Sequence, residues 1–154
     1  MVPEKCPQCG FDPTKLGQEM TCLEAFRELS LYTLYQPVPP FIHQNAVDAY
    51  SAQHLHADMS VIQRIFGLMG LCLATEHGLN GYDIQLAHIA KSNDPDRANW
   101  PLIEPQALEF QTNVGDVLVA DDKDAAIQRW VETTWHDWES AHEVVRQFCA
   151  ESLP

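Results

Sequence analysis

The chain has 154 residues, 45% of them hydrophobic, with 22 acidic side chains against 9 Lys+Arg and a formal net charge of −13. That length suits one domain with its own core and no disulfide framework. That charge repels nucleic-acid phosphates and anionic lipid surfaces, so neither is an expected partner.

Residues 1–21 carry Pro3, Pro7, Gly10, Pro13 and Gly17 without periodicity. They read as an irregular knuckle that needs something to hold it together. Met1 to Cys6 contains no apolar signal region, and no stretch reaches the roughly 18 apolar residues of a membrane span. The expected compartment is therefore the cytoplasm. The five cysteines are an odd number, which there argues for reduced thiols.

Thr21 is a helix cap, and Glu24 completes a capping box. The first helix is predicted from about Cys22 to Tyr35, ended by Pro37, Pro39 and Pro40. A second should cover about Ile42 to His56, with His43, Val47, Tyr50 and His54 along one face. A third runs from about Asp58 to Glu76. Its apolar stripe includes Val61, Ile65, Phe66, Met69 and Cys72, it is interrupted by Gln63, Arg64, Gly67 and Gly70, and it ends at Gly78. A short helix is predicted over Tyr82 to Lys91.

Residues 92–106 read as a long loop, and Val114 to Val119 as a short strand or extended segment. One last helix should start at Asp121 or Asp122 and reach Cys149. Ile127, Val131, Trp135, Trp138, His142, Val145 and Cys149 would share its face. Cys72 and Cys149 lie in apolar helical stretches and read as buried packing residues.

The fold expected from these elements is mainly α: a bundle of about four helices with an N-terminal zinc knuckle. It forms a single domain over 1–154, divided into the knuckle (1–21), helices (22–91), a loop or extended segment (92–120) and a C-terminal helix (121–150).

Cys6-Pro7-Gln8-Cys9-Gly10 is the most specific motif. Two thiolates two residues apart can turn onto one ion, and the glycine tolerates the tight turn that follows. Zinc wants four ligands. Cys22 lies 13 positions beyond Cys9, at a helix start whose dipole favours a thiolate. The fourth ligand is sought among the histidines, with His54 preferred and His56 and His43 as alternatives. A second constellation, of His43, Asp48 and His142, is a candidate catalytic site. Asp48 lies between apolar neighbours and, if buried, needs a partner. His142 reads either as a hydrogen-bonded core histidine or as a ligand or acid/base meeting the second helix. His43 and His54 cannot share an ion, because eleven residues of straight helix separate them by about 16 Å. Asp121, Asp122 and Asp124 lack the rest of a calcium loop and read as helix caps.

Three stretches together resemble a bacterial family of small proteins known only as a domain of unknown function. They are Cys6-Pro-Gln-Cys9-Gly with Cys22, the segment from His43 through Asp48 and Tyr50 to His54, and Trp130 through Trp135 and Trp138 to His142, joined by Val114-Gly-Asp116-Val. The resemblance implies that Cys6, Cys9, Cys22, His43, Asp48, Tyr50, His54 and His142 match the family's motif positions. It implies no activity. The chain departs from the pattern in having Leu55-His56 after His54, where a Pro and Gly turn is expected. A weaker likeness, of helix count alone, is to DinB-like bundles that hold a metal with three histidines.

Three functions are compatible with these residues. The first is a zinc-binding module that recognises an unknown small molecule or protein. The second is a metal-dependent hydrolase or transferase using His43, Asp48 and His142. The third is a redox sensor in which Cys6, Cys9 and Cys22 release zinc on oxidation.

Overall fold

The structure, a computed structural model, describes residues 4–153. The part of the predicted knuckle formed by Met1, Val2 and Pro3 lies outside the described residues. The described residues contain α1 (Cys22–Leu34), α2 (Ile42–Ala52), α3 (Val61–His77), α4 (Gly81–Ser92), α5 (Val114–Leu118), α6 (Lys123–Asp137) and α7 (His142–Ala150). Short 3-10 turns span Pro13–Leu16, Arg97–Asn99 and Glu139–Ala141, and the described residues include no strand. The mainly helical expectation therefore stands, but the count of about four helices does not.

The centre of the fold is α3, which packs against α2, α4, α6 and α7. Its start is fixed by a reciprocal cap: Ser60 Oγ accepts from the Gln63 N–H, and Gln63 Oε1 accepts from the Ser60 N–H at 2.8 Å. It ends at Gly78, whose left-handed backbone (φ 66°) suits glycine. Ile65, Leu68, Leu71 and Leu73 are all fully buried, each burial worth about 2 kcal/mol. Gly67 and Gly70 face α2. A side-chain carbon at Gly67 would lie 3.1 Å from the Asp48 carbonyl, and one at Gly70 would lie 1.9 Å from Asp48 Oδ2. With Ala46, Ala49 and Ala52 buried on α2, these small residues let the two helices approach closely. The glycines that interrupt the apolar stripe in sequence are thus points of contact.

Buried Arg64 fastens the loops beside α3. Its guanidinium donates to the carbonyls of Ala57 (2.6 Å), Met59 (3.1 Å) and Ile103 (3.1 Å). These bonds satisfy a charge that would otherwise be costly to bury. They also hold the 92–106 segment against the core, where Trp100 and Ile103 are buried.

Val114–Leu118 is helical rather than extended. Asn113 Oδ1 accepts from the Gly115 N–H, and Asp116 Oδ2 accepts from the Asn113 N–H, both at 2.9 Å. These caps outweigh the strand propensity of three valines. The predicted C-terminal helix is two helices, broken over Trp138–Ala141. Trp138 is drawn inward, where its indole N–H donates to the Ala52 carbonyl at 2.8 Å. Past the break, His142 folds back on α6, its Nε2 at 2.7 Å from the Trp135 carbonyl and its ring stacked 4.0 Å from that indole. Residues seven apart on a straight helix are about 10.5 Å apart along the axis, so this stack depends on the break.

At the start of α4, Gly81 lies directly under the Phe41 carbonyl, and a Cβ there would come within 1.9 Å of that oxygen. Phe41 itself holds a left-handed backbone (φ 56°), and Tyr82 N–H donates to the Pro40 carbonyl at 3.0 Å. The obstacle is main chain and cannot rotate aside. Gly81→Ala should therefore cost about 2–3 kcal/mol by moving α4 off α2, which denaturant unfolding would measure.

Candidate metal centre

The knuckle is shaped by its own backbone before any ion is considered. Cys6 N–H donates to the Phe11 carbonyl at 2.8 Å, and Gly10 N–H to the Cys6 carbonyl at 3.0 Å. Gly10 has φ 81°, which glycine adopts without strain. Phe11 N–H points at Cys9 Sγ, 3.4 Å away. Cys9 and Phe11 are both buried, so the knuckle has an apolar anchor as well as thiols. Gln8 ties it to the turn after α2 through the Leu55 carbonyl at 3.1 Å.

Cys22 enters from the first turn of α1, where Thr21 Oγ1 accepts from the Glu24 N–H at 3.2 Å. His54 comes from the turn beyond α2. That helix ends at Ala52 rather than at the predicted His56, because the Gln53 side chain turns inward. Its amide donates to the Thr112 carbonyl at 2.7 Å and to Thr134 Oγ1 at 3.0 Å. His56 is exposed, and His43 bonds Thr33 Oγ1 at 2.8 Å instead.

The sulfurs of Cys6, Cys9 and Cys22 and one ring nitrogen of His54 all lie within 4.8 Å of one another. His54 Nε2 is 3.4 Å from Cys22 Sγ and 3.8 Å from Cys6 Sγ. A tetrahedral zinc with ordinary bond lengths sets sulfur–nitrogen separations of about 3.6 Å and sulfur–sulfur separations of about 3.8 Å. The arrangement therefore fits a Cys3His ion site. The imidazole is oriented for it: Nδ1 lies 2.6 Å from the Tyr50 carbonyl. A carbonyl only accepts, so Nδ1 carries the proton and Nε2 presents its lone pair to the sulfurs. Tyr50 stacks on His54 at 4.0 Å and on Phe26 at 4.4 Å, which fixes the ring plane.

The electrostatics favour a cation. The thiol of Cys9 directed at Cys22, with His54 and Tyr50 beside it, pulls Cys22 down to about 3. Cys9 is pushed up by that same neighbour and by burial. The cluster thus holds one thiolate readily, and further thiolates at this spacing need a positive ion among them. Tyr50 is pushed up by burial and by Cys22, so its hydroxyl, 3.6 Å from Cys22 Sγ, stays a donor toward that sulfur.

The second constellation does not assemble. His142 caps α6, His43 bonds α1, and Asp48 sits against Gly70 with one oxygen accepting from Gln44 Nε2 at 2.9 Å. Among the described residues no hydrogen bond joins any two of the three, and no metal-binding group forms around them. Asp48 is fully enclosed, its Oδ2 has no hydrogen-bond partner, and burial pushes its carboxyl well above the usual range. It is a carboxyl packed between helices, where burial disfavours its charged form.

His88, which the motif reading did not single out, completes this polar cluster. Its Nε2 donates to the Phe66 carbonyl at 3.0 Å, and its Nδ1 lies 3.5 Å from Gln44 Nε2. Burial, only partly offset by that carbonyl, pushes His88 down to about 4. Because its folded pKa is depressed, the unfolded chain takes up the proton first as pH falls below about 6.5. His88 therefore costs stability progressively from there down to about pH 4. The total is about 3 kcal/mol. His88→Gln should flatten that part of the stability–pH curve relative to wild type in chemical denaturation.

No helix among the described residues is long and apolar enough to cross a membrane. The search of curated proteins and the search of solved structures returned no match. Residues 4–139, which include all four donors of the Cys3His group, match a family of unknown function, DUF5946, and the chain belongs to that family.

Proposed function

We propose that the chain is a zinc-stabilised helical binding module whose metal has a structural task. The convergence of four protein donors from three separate segments carries this reading. Sites closed by four protein ligands keep no open position for substrate or water, and such sites are structural. An ion there would join the knuckle to α1 and to the end of α2, making metal binding part of the folding free energy. The thiolate-rich donor set favours zinc over harder cations. Binding then belongs to other surfaces of the bundle, with a small molecule or a protein as partner.

Elemental analysis of protein purified without added metal tests this. One zinc per chain is expected, with a lower melting temperature once a strong chelator removes it. Folded protein carrying no transition metal, and unaffected by the chelator, overturns the reading.

A second reading, as a redox sensor, draws support from the partial exposure of Cys6 and Cys22. Peroxide could take two electrons from this pair to form a disulfide and release the ion. Zinc release under mild peroxide, reversed by a thiol reductant, is the outcome expected of a sensor. Retention of zinc removes that reading.

A further inference from the structure

A cleft of about 580 Å³ lies at the opposite end of α2 from the metal-binding group. It is bounded by the start of α2, the end of α3 and the first turns of α6. Its volume falls in the range of small-molecule sites. Its floor is apolar, formed by Ile42, Ala74, Leu79, Ile127 and Val131. Its rim carries Asp122, Asp124 and Glu132, and no lysine, arginine or histidine lines it. Lys123 turns away: its Nζ donates to the Ala120 carbonyl at 3.0 Å, and it lines a separate cavity beside Leu16 and Tyr32.

Helix ends do not reverse this sign. α2 and α6 begin at the cleft and α3 ends there, each end contributing a partial charge of about half a unit. Three full carboxylates outweigh them. Asp122 is held by the Ala125 N–H at 3.0 Å and Asp124 by the Tyr32 hydroxyl at 2.6 Å. Each keeps its second oxygen available. The three carboxylates do not converge into a metal-binding group, so their complement is not a bare metal ion.

We propose that this cleft binds a small organic cation, with an ammonium group at the Asp122–Asp124–Glu132 rim and an apolar chain or ring on the floor. The proposal rests on the reading of the chain as a binding module and names the ligand class. Because the carboxylates are exposed, each adds modestly to affinity. The apolar floor supplies binding, and the rim supplies the choice between charged and neutral ligands.

The test titrates protein of known zinc content with 4-phenylbutylamine, the neutral 4-phenylbutan-1-ol and the anion 4-phenylbutyrate. The amine should bind about tenfold more tightly than the alcohol, and the carboxylate most weakly. Added salt should shrink that preference. So should the Asp124→Asn/Glu132→Gln pair, whose exposed sites leave circular dichroism and metal content unchanged. Amide shifts at Thr75, Ala125 and Gln128 should locate the ligand. Equal affinity for amine and alcohol, shifts confined to another surface, or no amine binding at about 10 mM overturns the proposal. Amine preference in folded, zinc-free protein would remove the zinc reading and keep the cleft. Zinc-loaded protein without that preference would do the reverse.

Discussion

Cys9→Ser should empty the metal site and lower the melting temperature by about 10 °C or more. Cys9 is the buried member of the four, seated beside Phe11 and within 4.8 Å of the other donors. A serine hydroxyl is a poor zinc ligand and would also be buried without the sulfur's contacts. Structural zinc contributes about 10–16 kcal/mol in small zinc modules. Here the bundle has its own core, so only the share that orders the knuckle is lost, about 3–5 kcal/mol. For a chain of this size each kcal/mol moves the midpoint by about 2–4 °C. Cys149→Ala, far from the site and buried against Met69, is the control: it should destabilise while leaving one zinc per chain. A Cys9→Ser protein that keeps its zinc and melts with wild type would remove Cys9 from the site.

The second large effect is expected at Gly70. A methyl group there would sit 1.9 Å from Asp48 Oδ2 and 2.3 Å from its Cγ. Asp48 is enclosed and short, with Gln44 holding its other oxygen, so it cannot swing clear. Gly70→Ala should cost about 3–5 kcal/mol, by overpacking and by parting α2 from α3. Asp48→Ala opens the space that the methyl needs and removes an unpartnered oxygen. The Asp48→Ala/Gly70→Ala double variant should therefore recover most of the loss, with a coupling energy above about 2 kcal/mol. Additive losses in denaturant unfolding would mean that the two residues do not share this contact.

The sequence made the metal-binding group legible because its chemistry is local. Cys6 and Cys9 sit within one turn, and Cys22 stands directly after a recognisable cap. Helical rise keeps His43 and His54 from sharing one ion, but spacing does not choose the fourth ligand between His54 and His56, because what ends α2 is Gln53 reaching Thr112 and Thr134, residues distant in the chain. Long-range causes also explain the other corrections. Nothing between Trp138 and Ala141 is a helix breaker; the break is maintained by an indole bonded to Ala52 and an imidazole folded onto Trp135. For α5 the sequence does carry a local signal, the Asn113 and Asp116 capping box, which the strand propensity of the valines masks. Asp48 was expected to need a histidine or a metal if buried. Instead it is buried with one amide partner, in a space that disfavours its charge and that depends on Gly70 in another helix.

All four donors precede residue 55, whereas α6 and α7 clasp α3 from the far end of the sequence mainly with apolar side chains, Glu76 of α3 also accepting from Trp135 Nε1 and Arg146 Nε. A metal held by those donors would latch the front of the chain through chemistry that a competing chelator undoes, while the back is held mostly by solvent exclusion, which a chelator leaves untouched. A chelator should therefore loosen the front of the chain before the back.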